Sequence, residues 1–458
     1  MPMVDFGSTL KIHVVGAGGV GMSGLAKLLS QMGHSLTGSD LKMSPTLASL
    51  ADLGMEVWSG SRPAAMLGLD LVVASSAIPA TDPEVVAARE YGIDVWERPR
   101  LLTELTARLP TIGATGTHGK TTSTAMLIAA LRATGLDPSF VVGGEVTDLR
   151  ANASLGEDDL LVLEVDEAFG TFLDLSIKGL MVTNVEPDHL DYYHSVDRLE
   201  DAFVEVVRSV DGPVVVGVDD PGGRRLAERT SKTTYGTSAD ADWRMIDVTQ
   251  GQASIGFRLV GSGRTHRVTV ARPGLHIARD AGGVLALLGE LGYDLEAAVD
   301  GLRSFTGVRR RFEVRGRVAG ITIIDDYAHH PTEIAATLQA VRQGSWKRVW
   351  AVFQPHRYSR TLELYQEFGG AFTGADHVVV TDVYAAGETP EPGVTGALVA
   401  DAVTAQTEAD VHFVQHRADL ADYLADRLEP GDLVLTLGAG DITTLAGELA
   451  PLLEKRRV

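Results

Sequence analysis

Residues 114–122 read ATGTHGKTT, and this glycine-rich stretch lies between an apolar strand pattern and a strong helical pattern. Backbone amides around Gly116 and Gly119 can contact phosphate oxygens. Lys120 can reach the β- and γ-phosphates of a nucleotide, and the hydroxyl of Thr121 can bind Mg²⁺. The strict phosphate-loop pattern begins with glycine, whereas this stretch begins with alanine, so it is a variant. The alternative is a glycine-rich turn with a solvated lysine, but the flanking strand and helix favour a phosphate site.

Two acidic segments follow neighbouring apolar strands. Residues 164–167 (EVDE) end one strand, and residues 184–191 (NVEPDHLD) end the next. Both segments would face the ligand crevice at the carboxyl edge of a parallel sheet. Mg²⁺ prefers oxygen ligands and tolerates one imidazole, so Glu164 and His189 are candidate ligands. Taken singly, each residue is more typical of a solvated acid or a capping histidine. Together with the Lys120 loop, they predict a magnesium–phosphate site.

Short apolar strands alternate with helical stretches along most of the chain, which predicts α/β domains with buried parallel sheets. The clearest predicted strands are Lys11–Gly16, Leu71–Ala74, Leu160–Val165, Leu180–Asn184, Val214–Val218, Ile321–Asp325, Val349–Phe353, His377–Thr381 and Leu433–Leu437. Helical patterns include Lys120–Arg132 and Thr332–Arg342, whereas Thr237–Thr269 is more β-like.

The length of 458 residues corresponds to about three domains at roughly 150 residues each. Leu109-Pro110 precedes a new strand, and GVRRR at 307–311 precedes another α/β unit. We therefore predict domains at 1–109, 110–307 and 308–458.

A second glycine-rich loop, VGAGGVG at 15–21, follows the first predicted strand and opens a helix. Gly16, Gly18 and Gly21 match the pattern G-x-G-x-x-G, which lets backbone N–H groups approach a pyrophosphate. Asp40 closes a second strand about 20 residues later, the usual distance for an acid that binds ribose. The loop fits a dinucleotide or a UDP-sugar, because both carry a pyrophosphate, and a glycine turn without a ligand is the third possibility.

The composition excludes several classes of protein. With 40 Lys+Arg against 61 Asp+Glu, the net charge of −21 argues against non-specific binding to nucleic acid or anionic lipid. The absence of cysteine excludes disulfides, thiolate metal sites and cysteine nucleophiles. No apolar run approaches the roughly 20 residues that span a bilayer, and the first residues do not resemble a secretory signal. We expect a cytoplasmic protein without nucleic-acid or membrane partners.

Taken together, the motifs resemble those of the Mur ligases, which are ATP-dependent amide ligases of peptidoglycan synthesis. The motifs are GAGGVGMSGLA (16–26), GSDL (38–41), SSAI (75–78), GTHGKTT (116–122), EVDE (164–167), NVEPDHLDYY (184–193), RRRFE (309–313), DDYAHHPTE (325–333) and FQPHRYSRT (353–361). They span nearly the whole chain, and the last two most resemble the alanine-adding branch of the family.

The resemblance implies three α/β domains. A Rossmann-like N-terminal domain would bind UDP-N-acetylmuramate, a central domain similar to phosphate-loop ATPases would bind ATP, and a Rossmann-like C-terminal domain would hold L-alanine. The implied reaction joins L-alanine to UDP-N-acetylmuramate through an acyl phosphate and uses ATP and Mg²⁺. The partners are these small molecules. We expect the chain to be a monomer or a homodimer.

The resemblance also implies roles for individual residues. Lys120, Glu164 and His189 would be catalytic, and Thr121, Glu164 and His189 would bind Mg²⁺. The residues expected to bind ATP are Gly116, Thr117, Gly119, Lys120, Thr121, Thr122, His276, Asp280 and Asp325. Those expected to bind the UDP-sugar are Gly16, Gly18, Gly19, Gly21, Asp40, Ser75 and Ser76. L-alanine would be held by Tyr327, His329, His356, Arg357 and Arg360.

The last of these sets includes the basic segment HRYSR at 356–360. Arginine pairs bidentately with carboxylates, so the segment can hold the α-carboxylate of an amino acid. The alternative is a basic surface loop, but a basic cluster in so acidic a chain favours an anion site.

The chain departs from the family pattern at three places. Sibling Mur ligases carry a carbamylated lysine at the position of Phe203, and its absence suits the alanine-adding branch. Asp280 stands where the family has asparagine, and an ionised aspartate cannot donate a hydrogen bond to ATP. Residues 168–169 lack the Ser-Asp that often follows the acids.

Asp280 and the 168–169 stretch keep open a non-catalytic nucleotide-binding regulator. A second alternative is a sibling ligase that adds a tripeptide to the same sugar, although the HRYSR segment and the GVGMSG loop favour a single amino acid. A nicotinamide dehydrogenase, which the first glycine loop alone suggests, leaves Lys120 unexplained.

Overall fold

The structure, a computed structural model, describes residues 6–455 and contains three β-sheets interleaved with helices. The predicted α/β class is therefore confirmed. By its internal contacts the chain divides into two compact units. Unit 1 comprises Met1–Asp247, Phe257–Val268 and Arg279–Phe305, and unit 2 comprises Val248–Gly256, Thr269–Ala278 and Thr306–Val458. The finer division into domains at 1–109, 110–307 and 308–458 stays a prediction.

The first sheet of unit 1 has five parallel strands in the order β3-β2-β1-β4-β5. The strands are β1 (Lys11–Val15), β2 (Ser35–Asp40), β3 (Glu56–Ser59), β4 (Leu71–Ala74) and β5 (Asp94–Glu97). The helices are α1 (Val20–Gln31), α2 (Pro45–Ala51), α3 (Pro83–Glu90) and α4 (Arg98–Arg108). The strand order reverses between β1 and β4, so the loops after these two strands flank the crevice in which such sheets bind ligands.

The second sheet has ten strands in the order β15-β14-β13-β12-β11-β10-β6-β9-β7-β8. They are β6 (Thr111–Thr115), β7 (Pro138–Val146), β8 (Ala151–Ser154), β9 (Asp158–Glu164), β10 (Gly179–Val182), β11 (Val214–Gly217), β12 (Thr233–Gly236), β13 (Trp243–Gln250), β14 (Ile255–Gly261) and β15 (Arg264–Val270). The helices along this stretch are α5 (Lys120–Ala133), α6 (Leu190–Tyr193), α7 (Val196–Ser209), α8 (Pro221–Thr230), α9 (Leu275–Glu290) and α10 (Leu295–Ser304). Because β6 pairs in parallel with both β9 and β10, the segments that follow these three strands meet at one edge.

The six-stranded sheet of unit 2 has the order β16-β17-β21-β18-β19-β20. Its strands are β16 (Glu313–Val318), β17 (Ile321–Asp326), β18 (Val349–Phe353), β19 (His377–Val380), β20 (Asp410–Phe413) and β21 (Leu433–Leu437). The first pair is antiparallel and the others are parallel. The helices are α11 (Pro331–Val341), α12 (Tyr358–Ala371), α13 (Gly396–Gln406), α14 (Leu420–Ala425) and α15 (Leu445–Lys455).

The predicted strands are present, with small changes at their ends. Strands β4, β18 and β21 have the predicted bounds, and all of their residues are buried. Strand β1 ends one residue before the prediction because Gly16, with φ of +80°, already begins the turn. The β-like stretch Thr237–Thr269 contains β13 and β14 and most of β15, as its pattern predicts.

No helix within residues 6–455 is both long enough and apolar enough to cross a membrane.

Candidate active site

The glycine-rich loop at 116–119 connects β6 to α5. Gly116 has φ of +125°, and a Cβ atom there would lie 2.1 Å from Oγ1 of Thr183, so only glycine fits. Gly119, with φ of +84°, precedes α5 and leaves its first N–H groups without a side-chain cap. Uncapped N–H groups at the start of a helix attract anions. The loop therefore has a backbone geometry that suits phosphate, and its contact with ATP stays a prediction.

Residues at the end of β10 hold this loop in place. The N–H of Thr117 donates to the carbonyl of Asn184 (3.1 Å), and the N–H of His118 donates to the Asn184 side chain (2.9 Å). The hydroxyl of Thr183 donates to the carbonyl of His118 (2.6 Å), and that of Thr117 donates to the carbonyl of Glu186 (3.0 Å). Backbone and side-chain hydrogen bonds therefore both brace the loop.

Lys120 lies against the loop and is mostly buried, with 14% of its side chain exposed. Its Nζ donates to the carbonyl of Gly116 (2.7 Å) and contacts both carboxylate oxygens of Glu167 (2.7 and 2.9 Å). Burial by itself lowers the pKa of Lys120, but the charges of Glu167 and Asp166 outweigh it and hold that pKa above the ordinary lysine value. Burial raises the pKa of Glu167 to about 7, against the opposing Lys120 charge. The ammonium is therefore charged and positioned at the loop.

The predicted magnesium ligands lie around the same edge of the sheet. The hydroxyl of Thr121 donates to Oε1 of Glu164 (3.0 Å), and Oε2 of Glu164 accepts from the N–H of Gly143 (2.6 Å). His189 has φ of +54°, and its Nε2 lies 4.0 Å from Oε1 of Glu167. A hydroxyl, carboxylates and one imidazole form a donor set that suits Mg²⁺, and the neighbouring loop suits the phosphates with which Mg²⁺ binds.

The predicted ATP contacts on α9 are four residues apart and so lie on one face of that helix. Asp280 is buried, and its Oδ1 would lie only 2.7 Å from a Cβ atom on Gly119. Its carboxylate therefore borders the phosphate loop. His276 packs against Gly274, whose φ is +113°.

The first glycine loop occupies the crevice between β1 and β4. A Cβ atom on Gly16 would lie 3.1 Å from Cβ of Ser75, which places the loop beside Ser75. Ser76 is the next residue along the chain, and its contact with the UDP-sugar stays a prediction. The N–H of Gly18 donates to Oδ2 of Asp40 (2.8 Å). Asp40 thus shapes the loop, a role that the sequence does not reveal.

Arg98, at the start of α4, also contacts this loop. Its Nε would lie 3.3 Å from a Cβ atom on Gly21, and that Nε is buried without a hydrogen-bond partner. The N–H of Gly19 donates to the carbonyl of Gly16 (3.2 Å), and α1 begins at this point without a side-chain cap. A guanidinium beside an uncapped helix start is favourable for a pyrophosphate. Sequence reasoning missed Arg98, and the only available signal is a basic residue directly after a strand.

In unit 2, a series of contacting rings contains three of the residues predicted to hold L-alanine. The ring centroids of Tyr327 and His329 are 5.3 Å apart, and those of His329 and His356 are 5.9 Å apart. Tyr384, which sequence reasoning missed, stacks on His356 at 5.7 Å. Nδ1 of His329 donates to the carbonyl of Tyr327 (3.0 Å), so the neutral ring carries its lone pair on Nε2.

Positive charge surrounds these rings. Arg357 precedes α12 with φ of +72°, a conformation that side chains rarely adopt, and Arg360 lies in the first turn of that helix. Burial lowers the pKa of His329 to about 3, and the Arg360 charge adds to this effect. Burial and then the charges of Arg360 and Arg357 lower the pKa of His356 to about 4. Both imidazoles are therefore neutral near pH 7.

Asp325 lies in the interior of unit 2 rather than at its surface. It is fully buried on β17, and its carboxylate accepts from the hydroxyls of Thr436 (2.5 Å) and Thr443 (2.6 Å). Arg310 lies 3.7 Å from it and covers the ring of Tyr327 at 4.9 Å. Asp325 thus anchors the residues around the ring series, and its predicted contact with ATP stays a prediction.

Comparison with known proteins identifies the family of this chain. The chain is 44% identical over 450 residues to a protein of Anaeromyxobacter dehalogenans named UDP-N-acetylmuramate–L-alanine ligase, and the match covers 97% of this chain and 98% of that protein. The chain belongs to the Mur ligase family. A Myxococcus xanthus protein of the same name is also 44% identical, over 97% of this chain and 95% of its own length.

Family models and solved structures agree with this assignment. The chain matches "Mur ligase family, catalytic domain" at 11–109, "Mur ligase middle domain" at 114–288 and "Mur ligase, glutamate ligase domain" at 310–440. The crystal structure of UDP-N-acetylmuramate-alanine ligase from Thermotoga maritima is similar with a TM-score of 0.83 and 28% identity, over 98% of this chain and 100% of that one. The predicted family is therefore confirmed.

Within this Mur ligase, the structure gathers the predicted residues into three groups. Lys120, Thr121, Glu164, His189 and Asp280 surround the phosphate loop. The first glycine loop lies with Asp40 and Ser75, and the ring series joins Tyr327, His329 and His356. Glu167 is the main addition at the phosphate loop, and its place in the EVDE motif could have indicated it.

Phe203, which replaces the lysine of sibling Mur ligases, is a core residue here. It is fully buried on α7, and its ring packs edge-on against Phe172 with centroids 5.2 Å apart. A lysine here would bury a charge, so its absence suits the local packing.

Proposed function

We propose that this Mur ligase uses ATP to join L-alanine to UDP-N-acetylmuramate through an acyl phosphate. The observation that carries the proposal is the 44% identity, over 97% of the chain, with relatives that bear the alanine-ligase name. The fold and the phosphate loop support it, since both are what such a reaction needs.

In the first step, a carboxylate oxygen of the sugar's lactyl group attacks the γ-phosphorus of ATP. The bond from that phosphorus to the bridging oxygen breaks, and ADP leaves. Negative charge spreads over the transferring group, so a fixed cation next to it lowers the barrier. We assign this role to Lys120, whose ammonium would move from Glu167 to the phosphates when ATP binds.

Thr121, Glu164 and His189 would hold Mg²⁺, which supplies further positive charge to the phosphates when bound. Thr121 and Glu164 already contact each other, so their oxygens converge. Thr117, within the loop, and Thr122, in the first turn of α5, would add phosphate contacts.

In the second step, the amine of L-alanine attacks the acyl carbon and inorganic phosphate leaves. The amine must first lose a proton, because an ammonium has no lone pair. With a pKa of about 3, His329 is too weak a base to take this proton, so the proton would leave to solvent. The lone pair on Nε2 of neutral His329 would accept a hydrogen bond from the amine. Arg360 and Arg357 would hold the α-carboxylate of L-alanine, and Tyr327 and His356 would line its binding site.

The first glycine loop would bind the UDP-sugar. Gly16, Gly18, Gly19 and Gly21 would accommodate the pyrophosphate, and Ser75 and Ser76 would border it. We further propose three functional domains (1–109, 110–307 and 308–458), a cytoplasmic location and a monomeric or homodimeric state.

Phosphate release from the purified full chain tests the proposal. We expect release that requires ATP, UDP-N-acetylmuramate and L-alanine together. Release with a tripeptide but not with L-alanine would indicate the sibling reaction instead. Binding of the UDP-sugar without turnover on any amine would indicate a regulator, for which the Asp280 carboxylate at the phosphate loop gives a physical reason.

A further inference from the structure

Two neighbouring strands of the unit 2 sheet place two histidines and an aspartate together. Strand β20 forms the edge of the sheet and pairs in parallel with β19, with His377 opposite Asp410. His412 lies two residues after Asp410, and alternate residues of a strand face the same side. The register therefore gathers the three side chains on one face at the sheet edge.

Both imidazoles already contact the same carboxylate oxygen, so the three side chains are close enough to share one ion. Nδ1 of His377 lies 3.1 Å from Oδ2 of Asp410, and Nε2 of His412 lies 2.9 Å from the same oxygen. Bonds of about 2.0–2.1 Å to one zinc ion would leave such ligand atoms roughly 3.0–3.4 Å apart. One candidate ligand atom from each of the three residues lies within 4.8 Å of the others.

The surroundings hold the ligands yet leave a path to them. The indole of Trp350 stacks on the His377 ring at 3.8 Å, which fixes the plane of that imidazole. Asp410 and His412 are 58% and 37% exposed, so an ion can reach them from solvent. Fixed ligands with solvent access are what a site with an open coordination position needs.

We propose that His377, Asp410 and His412 form a binding site for one divalent transition-metal ion of the zinc class. Two imidazoles and a carboxylate suit Zn²⁺ better than Mg²⁺, which prefers oxygen ligands. The site is thus chemically distinct from the magnesium–phosphate site around Thr121 and Glu164. A bound ion would crosslink β20 to β19 and stabilise the edge of the sheet.

Calorimetric titration of the metal-stripped full chain with ZnCl₂, in excess MgCl₂ and without nucleotide, tests this proposal. We expect one Zn²⁺ ion to bind and to raise the thermal unfolding temperature. His412→Ala and the nearly isosteric Asp410→Asn should each weaken this binding by more than about 10-fold, because each removes a ligand. His416→Ala is the matched control, because His416 is an exposed histidine of the same unit outside the cluster.

Circular dichroism tests whether each variant is folded. If His412→Ala does not fold, the binding measurement relies on Asp410→Asn. Unchanged Zn²⁺ binding in the folded ligand variants would overturn the proposal. So would the absence of Zn²⁺ binding to the unmodified chain, or an equal loss in His416→Ala. None of these results depends on ligase activity, so the proposed function is tested separately.

Discussion

Lys120 illustrates how a charged side chain is held in position for the proposed contact with phosphate. Its ammonium is buried, which is unfavourable for a charge, and Glu167 compensates within 2.7 Å. A triphosphate offers the same compensation with more negative charge, so the lysine can exchange one partner for the other. The sequence identifies this lysine from its spacing to glycine, but it does not reveal which carboxylate holds it.

Lys120→Ala should lower the rate of phosphate release by about 100-fold or more, because the cation acts on charge that develops during transfer. Binding of the UDP-sugar, measured by calorimetry, should not change. The control is Lys178→Ala, which removes a lysine that is half exposed and paired with Asp211. Full turnover by Lys120→Ala would show that the phosphate-loop assignment is wrong.

Arg360→Ala should raise the KM for L-alanine by about 10–100-fold, which is the effect expected for a lost hydrogen bond to a charged group. The kcat should change less, if the arginine binds substrate and transition state alike. Steady-state kinetics with varied L-alanine provide the measurement. Arg303→Ala, at an exposed arginine paired with Asp300, is the control. If the KM of Arg360→Ala equals that of the control, Arg360 does not bind L-alanine and only adds charge to the surface.

The low pKa values of His329 and His356 predict how stability depends on pH. In the unfolded chain these two histidines have the ordinary pKa of about 6.5. As the pH falls, they therefore take up protons at a higher pH in the unfolded chain than in the folded chain. Between about pH 6.5 and pH 4 the unfolded state thus binds more protons, and stability falls as the pH falls.

His356→Gln should lessen this acid-induced loss, by an amount on the order of 1 kcal/mol between pH 7 and pH 5. Urea unfolding of both proteins at the two pH values provides the measurement. His416→Ala, which removes an exposed histidine, should leave the loss unchanged. An identical loss in His356→Gln and the unmodified chain would contradict the buried neutral state of His356.

At the scale of elements, most central strands could be predicted and most edge strands could not; the edge strand β15, which the β-like stretch covers, is an exception. Strands such as β18 and β21 are apolar on both faces because helices cover both sides of the sheet. Strands β3, β5, β8, β16 and β20 all lie at sheet edges. Their short sequences mix polar and apolar residues, for example EVWS at 56–59 and ANAS at 151–154. Strands this short show no clear periodicity in their sequence, and their pairing depends on the neighbouring strand.

The phosphate loop depends on glycine at the junction of strand and helix. Gly116→Ala should destabilise the protein by about 1–3 kcal/mol and abolish binding of an ATP analogue, since its Cβ would collide with Thr183. Gly135→Ala is a matched control at the other end of α5, where φ is +94° and no atom lies within 4 Å of the added Cβ. Thermal unfolding and calorimetry measure the two effects.

The control should lose stability but retain binding of the analogue. Tight binding by Gly116→Ala would show that the loop tolerates a side chain and is not a close-fitting cradle.

At the scale of the whole molecule, the motifs could be predicted to group by function, but several contacts could not. The order of strands brings residues 116–121, 164 and 189 together from distant positions in the sequence, as parallel α/β topology predicts. Arg98 and Tyr384 escaped notice because each acts through a neighbour that only the folded chain supplies. Asp325 is fully buried and bonded to two threonines, which the sequence does not reveal, and its contact with ATP stays a prediction.

The central claim is that the loop at 116–121 binds the triphosphate of ATP through Lys120. A crystal structure of the full chain with a non-hydrolysable ATP analogue tests it most directly. We predict the β- and γ-phosphates against the N–H groups of this loop, with Nζ of Lys120 moved from Glu167 to the phosphates. An analogue bound elsewhere, with the contact between Lys120 and Glu167 intact, would contradict the account.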